Sequence, residues 1–125
     1  MNKEYRGFRD LIVYQLSYKL ALEIFDITRS FPKEEKFSLV DQIRRSSRSI
    51  PSNLAEAWSK RRYPKAFISK LIDVDGECSE TSVWLDFSKD QNYINLELYN
   101  YFIEKYNEIS KMLNSMINKP DKFCY

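Results

Sequence analysis

Apolar side chains return at three- and four-residue steps in four separate stretches of this chain, the spacing of helices that each bury one face. The first stretch predicts a helix over about 11–29, with Val13, Leu16, Leu20, Ile24, Ile27 and finally Phe31 on its inner stripe. Phe31-Pro32 ends it, because proline restricts the residue before it and cannot continue the ladder. The second helix is expected over about 38–60, opened by Ser38 and Asp41 at the spacing of an N-cap and its N3 carboxylate. Leu39, Ile43, Ser47, Ile50, Leu54 and Ala57 form its inner stripe, and the phase passes unchanged through Pro51. One helix kinked at Pro51 is therefore expected, at a cost of about 3 kcal/mol in a free helix.

Arg61, Arg62 and Tyr63 read as a turn, and Pro64 suits the first position of a third helix over about 64–89. Phe67, Leu71, Val74, Cys78, Ser82 and Leu85 are its predicted core face, and a close helix crossing is the expected reason for Gly76 inside it. After a turn at Asp90-Gln91-Asn92, a fourth helix is expected over about 95–118, with Tyr99, Phe102, Tyr106, Ile109, Leu113 and Met116 inward. A short frayed tail follows. The links are short, and short links make consecutive helices antiparallel neighbours. The fold class is thus all-α, a single domain spanning 1–125 as an antiparallel up-down-up-down four-helix bundle.

Composition agrees with that pattern. Two glycines and four prolines in 125 residues are too few for the many turns of a sandwich or barrel. No run of about 18 apolar residues occurs, so no membrane partner is expected, and the opening residues do not read as a signal peptide. The default compartment is the cytoplasm. With no histidine, the usual general base near neutral pH and the commonest metal ligand are missing. Cys78 and Cys124 make no zinc motif, and the only glycines, Gly7 and Gly76, make no phosphate loop. The reading is a non-enzyme with no cofactor, no metal and no evident small-molecule substrate. Cys78 lies on a core stripe and reads as a buried thiol.

Two features exceed what a core needs. Helix one carries a second apolar row, Tyr14, Tyr18, Ala21 and Phe25, roughly 100° round from the first, with Leu22 further round. That flank either widens the core contact or forms a subunit interface, since contiguous apolar patches rarely stay bare. Charge is also segregated. Residues 36–70 hold nine basic side chains against Asp41 and Glu56, a balance of +7. Residues 71–110 hold nine acidic ones against Lys89 and Lys105, a balance of −7. Arg44 and Arg48 point nearly opposite the inner stripe of helix two. Asp73, Glu77 and Glu80 oppose that of helix three, with Trp84 ending their row. Both rows could be solvated faces, complementary faces of neighbouring subunits, or, for the basic one, a phosphate-binding row extended by Arg61, Arg62 and Lys65. Non-specific contacts of the last kind bind with dissociation constants of about 10⁻⁴ to 10⁻⁶ M at physiological salt. Asn53 and Glu56, three apart beside Pro51, read as braces for the helix where the proline removes a bond.

The opening Phe8-Arg9-Asp10-Leu11-Ile12-Val13-Tyr14-Gln15 resembles the start of the four-helix-bundle proteins encoded in intervening sequences of bacterial 23S ribosomal RNA genes. So do Phe31-Pro32 with Glu35, and Leu39-Val40-Asp41-Gln42-Ile43-Arg44-Arg45-Ser46-Ser47. The densest likeness is Ser49-Ile50-Pro51-Ser52-Asn53-Leu54-Ala55-Glu56. Ala57, where that family usually has glycine, and Gly76-Glu77-Cys78-Ser79 depart from the pattern. The resemblance implies a ring-like homopentamer, a likeness in fold to the accessory protein of diversity-generating retroelements, and hence RNA, DNA or a nucleic-acid enzyme as partner. The matching polar positions are Gln42, Arg44, Arg45, Asn53 and Glu56. The residues expected to matter are therefore Arg44, Arg45, Arg48, Arg61, Arg62 and Lys65 for nucleic acid. For assembly they are Tyr14, Tyr18, Phe25, Glu77, Glu80 and Trp84, with Gln42, Pro51, Asn53 and Glu56 forming a structural motif.

Overall fold

The ends of the helices show how local chemistry sets the architecture. A computed structural model of the chain describes residues 5–125; Met1 to Glu4, part of the opening read above for a signal peptide, lie outside them. Four α-helices follow in order: α1 Ile12–Thr28, α2 Leu39–Trp58, α3 Pro64–Asp90 and α4 Leu96–Asn118. Short 3-10 turns at Phe8–Asp10, Lys33–Glu35 and Pro120–Lys122 complete the order, and no strand occurs among the described residues.

At the end of α1, Thr28 Oγ1 donates to the Ile24 carbonyl at 2.8 Å, and Phe31 N closes a tighter turn onto Thr28 O before Pro32. The start of α2 departs from expectation. Ser38 is the N-cap, but its hydroxyl donates to Glu35 Oε1 at 2.7 Å instead of capping the helix. Glu35 takes over, accepting from Leu39 N at 3.4 Å and from the Tyr93 hydroxyl at 2.8 Å. These bonds, from Ser38 first and Tyr93 next, hold the Glu35 carboxyl below its ordinary range. A carboxylate suits this end of a helix, where free N–H groups gather positive potential.

The α2 helix is continuous through Pro51, which is itself buried. Pro64 opens α3 as the sequence suggested. After α3, Asn92 adopts a left-handed backbone, φ 64°, a region asparagine tolerates, and Tyr93 N folds back onto Ser88 O at 2.8 Å. Asn95 then caps α4 by accepting from Leu98 N at 2.8 Å.

One cluster of buried side chains draws on all four helices, centred on Leu20, Ile24, Ile43, Ile50, Leu54, Phe67, Leu71, Leu85, Phe102, Ile109 and Leu113. Each such side chain contributes about 1.5–3 kcal/mol of transfer free energy. The most extensive contact is between α2 and α3, where small hydroxyl residues let the backbones approach. Ser46 Oγ and Thr81 Oγ1 meet across it at 2.8 Å, and both are fully buried. Thr81 therefore holds the place expected for Ser82, which is only half-buried. The reason for Gly76 also differs. A Cβ there would meet nothing within 4 Å, so no close crossing requires the glycine. The tail is docked: Phe123 packs 6.2 Å from Phe67 and 5.9 Å from Tyr5 between ring centroids. Among the described residues no helix is long and apolar enough to cross a membrane.

Candidate nucleic-acid and assembly surface

Arg44, Arg45 and Arg48 lie on neighbouring turns of α2, yet they find three different settings. Arg45 leans toward α3, donating to Gln42 Oε1 at 3.1 Å and meeting Glu80 Oε2 at 3.4 Å. Trp84 Nε1 donates to the same Glu80 oxygen at 3.2 Å. Gln42, Arg45, Glu80 and Trp84 therefore form one network inside a single chain. Its ion pair is largely exposed, and such pairs contribute about 0–1 kcal/mol.

Arg44 folds across to α1 instead of standing off the outer face. Its Nε donates to Thr28 Oγ1 at 2.8 Å and its Nη2 to the Phe25 carbonyl at 3.3 Å, near the negative end of the α1 dipole. The guanidinium lies 4.2 Å from the Phe25 ring centroid, with Arg29 at 5.0 Å and Arg48 at 5.4 Å from the same ring. Among the described residues none of these three arginines has a carboxylate within ion-pair distance. Burial first, and then repulsion from Arg48 and Arg29, lowers the Arg44 pKa from its ordinary value. It remains a cation, as arginines in proteins do. Phe25, expected as a plain interface residue, is thus the floor of a cationic cluster. Arg29 belongs to that cluster and was not singled out from the sequence; its position in the last turn of a helix was the available signal.

Two grooves meet at Arg48. One, of about 520 Å³, is lined by Phe8, Tyr14, Tyr18, Leu22, Phe25 and Pro51 among others. Tyr18 and Leu22 are about half exposed within it. The other, of about 630 Å³, runs along the α2 flank beside Lys36, Phe37, Arg44, Arg45 and Arg48, with Asp41 its one acidic residue. Phe37, which the sequence reading passed over, is the most exposed large apolar side chain described, at 86%.

The remaining basic residues lie elsewhere. Arg61 is half-buried, stacked 3.7 Å from the Trp58 ring centroid and donating to Trp58 O at 2.8 Å. It closes the end of α2, a role for a cation at a helix C-terminus. Arg62 and Lys65 are exposed at the α2–α3 turn. Arg48 lies ten residues and about 15 Å of helix rise before the end of α2 at Trp58, and Arg61 lies beyond that end, so the expected single basic row is two separate patches.

Glu77 does not stand free on the outer face of α3. Its Oε1 is buried without a hydrogen-bond partner. Burial first, then Glu80 and Asp73, push its carboxyl up, while Arg45 pulls it down. Glu56 pairs with Lys70 of α3 at 2.8 Å, so it ties two helices together; Asn53 is half-buried beside it on α2. Cys78 is a buried thiol, pushed up to about 12 chiefly by desolvation.

These features define an all-α protein of four helices, with a charged flank and an apolar groove side by side. The model of the 23S rRNA-intervening sequence protein family matches residues 9–115, and the chain belongs to that family. It is similar to a solved protein of unknown function from the S23 ribosomal protein family of Bacteroides thetaiotaomicron VPI-5482, at 30% identity and a TM-score of 0.74. That likeness covers 85% of this chain and 98% of the other. No curated protein matches the chain.

Proposed function

We propose that this is a non-catalytic homo-oligomer that binds RNA or DNA through the α1–α2 side of the molecule. The observation that carries the nucleic-acid reading is the unneutralised set Arg29, Arg44 and Arg48 gathered on Phe25. Three like charges held together without a carboxylate repel one another, and an anion entering the groove removes that cost. A polyphosphate strand supplies such anions at regular intervals. Arg62 and Lys65 form a second, weaker patch at the far end of α2.

Assembly is supported by two unlike apolar surfaces. The groove on α1 exposes Tyr18 and Leu22, and α3 exposes Ile72, Val83 and Phe87 at helical spacing. Contact between unlike surfaces is head-to-tail, and such contacts close into rings when the rotation permits. Five copies is the number that the family resemblance implies. We read each copy as an up-down-up-down bundle bending at Pro51. The pairs Glu56–Lys70, Ser46–Thr81, Asp75–Ser110 and Asp86–Tyr99 support the antiparallel run of α2, α3 and α4, because one residue number rises as the other falls.

The test is RNA binding by Arg44→Ala/Arg48→Ala beside Arg62→Ala/Lys65→Ala, each checked for unchanged helicity. The first pair weakens binding roughly tenfold or more at moderate salt, and the second weakens it less. Parent-like affinity of Arg44→Ala/Arg48→Ala at low and moderate salt overturns the assignment.

A further inference from the structure

The Phe37 ring stands 86% exposed, approached by Lys36 Nζ at 5.3 Å, beside Arg44 and Arg48, which among the described residues have no carboxylate partner, and so is placed to read something other than phosphate. Phe37 precedes α2 and lines the same groove as Lys36, Arg44, Arg45 and Arg48. It also lines the adjoining cleft with Trp84 and Phe87, whose rings are 5.8 Å apart. Single exposed apolar side chains are ordinary on protein surfaces and need no explanation. What distinguishes this one is its position, on the wall of a cationic groove.

We propose that this groove takes an unpaired nucleic-acid strand, its phosphates on Arg44, Arg48 and Lys36 and a base stacked on Phe37. The proposal rests on the nucleic-acid reading above and makes it more specific. In a duplex the base faces are covered by their neighbours, so a ring projecting from a protein surface meets them only at a helix end. In a single strand every base offers a π-face, and stacking on an aromatic side chain is tolerant of sequence. The positive N-terminus of α2 is not a competing phosphate site, because Glu35 already occupies it. Phosphates are therefore directed along the helix flank, where Arg48 lies nine residues and about 14 Å of rise from Leu39, the first residue of α2, with Phe37 just before it. That span suits a few extended nucleotides. Asp41, the one carboxylate in the groove, lies in the first turn of α2 and is an acceptor for an exocyclic amino group on the stacked base.

Fluorescence anisotropy with a labelled, unstructured twelve-nucleotide RNA and with its blunt duplex tests this across a salt series. The parent binds the single strand more tightly. Phe37→Ala weakens single-strand binding about five- to hundredfold and leaves duplex binding within about twofold, while Phe37→Trp restores it. Arg44→Ala/Arg48→Ala weakens both. Equal affinity for both forms, unmoved by Phe37→Ala, overturns the strand assignment and leaves nucleic-acid binding standing. No binding of either form at low salt overturns both. If Phe37→Ala instead changes the mass of the free protein in solution, the ring belongs to a subunit contact and the strand assignment fails.

Discussion

Glu77→Gln exchanges a charged carboxylate for a neutral amide of nearly the same shape, at a position where one oxygen is buried without a partner. A buried polar group left unsatisfied costs about 1–3 kcal/mol, more when charged. The low end applies here, because the residue keeps part of its surface in solvent. The amide leaves the same position unbonded, so only the extra cost of the charge is recovered, a gain of about 1 kcal/mol at neutral pH. With an unfolding entropy of about 2.1 cal/mol/K per residue over the 125 residues, that corresponds to about 4 °C in Tm. The pH dependence has a definite sign. Burial, with Glu80 and Asp73, raises the Glu77 pKa in the folded protein, so folding favours the protonated acid. The penalty is absent below the unfolded value of about 4.3, grows as pH rises toward the folded value, and is constant above it. Thermal melts of both proteins at matched concentration should thus converge in acid and diverge as pH rises above the unfolded value of about 4.3. A lower Tm for Glu77→Gln at neutral pH would refute the reasoning, and would mean that the carboxylate meets a cation, as it would if a neighbouring copy covered this face.

Tyr106 is 1% exposed and its hydroxyl has no partner among the described residues, so Tyr106→Phe should leave stability unchanged or raise it by up to about 1 kcal/mol in urea melts. A loss above about 1 kcal/mol would show that the hydroxyl is bonded in solution. Thr81→Val removes a buried hydroxyl that meets Ser46 at 2.8 Å and should cost about 1–2 kcal/mol in the same assay. Arg44→Ala/Arg48→Ala removes two phosphate contacts, so the slope of log K against log salt for a single strand should fall in magnitude by about 1.4. Leu22→Glu places a charge in the apolar α1 groove and should release single copies while the far-ultraviolet spectrum stays helical.

The backbone path of this protein is legible in its sequence because one physical rule governs it. Leu39, Ile43, Ser47, Ile50, Leu54 and Ala57 all proved buried, and their unbroken phase across Pro51 foretold one helix instead of two. Rules of that kind fix where a Cβ points. They leave open where a long side chain ends. Arg44 was expected to face solvent, yet its guanidinium crosses to the last turn of α1, a destination set by a neighbouring helix 16 residues away in sequence. Arg45 was assigned to the nucleic-acid face and Glu80 and Trp84 to the assembly face, yet Arg45 and Trp84 converge on the Glu80 carboxylate because α2 and α3 are in contact there. Short polar residues were hard for another reason. Thr81 and Ser82 are both small and hydroxylated, so composition gives no preference for which faces the core. The Ser38 cap failed because its hydroxyl donates to the Glu35 carboxylate three residues earlier, and that carboxylate also accepts from Leu39 N. Phe37 and Arg29 carry the candidate site but belong to no stripe, so periodicity has nothing to say about them.

The most direct test of the account is the mass of the free protein in solution at micromolar concentration, measured by sedimentation velocity with and without single-stranded RNA at low and high salt. One chain weighs 15.0 kDa. The account predicts a single species at an integer multiple of that mass, independent of salt, with RNA cosedimenting at low salt and released at high salt. A 15.0 kDa particle under every condition, with RNA sedimenting apart from it, would contradict it.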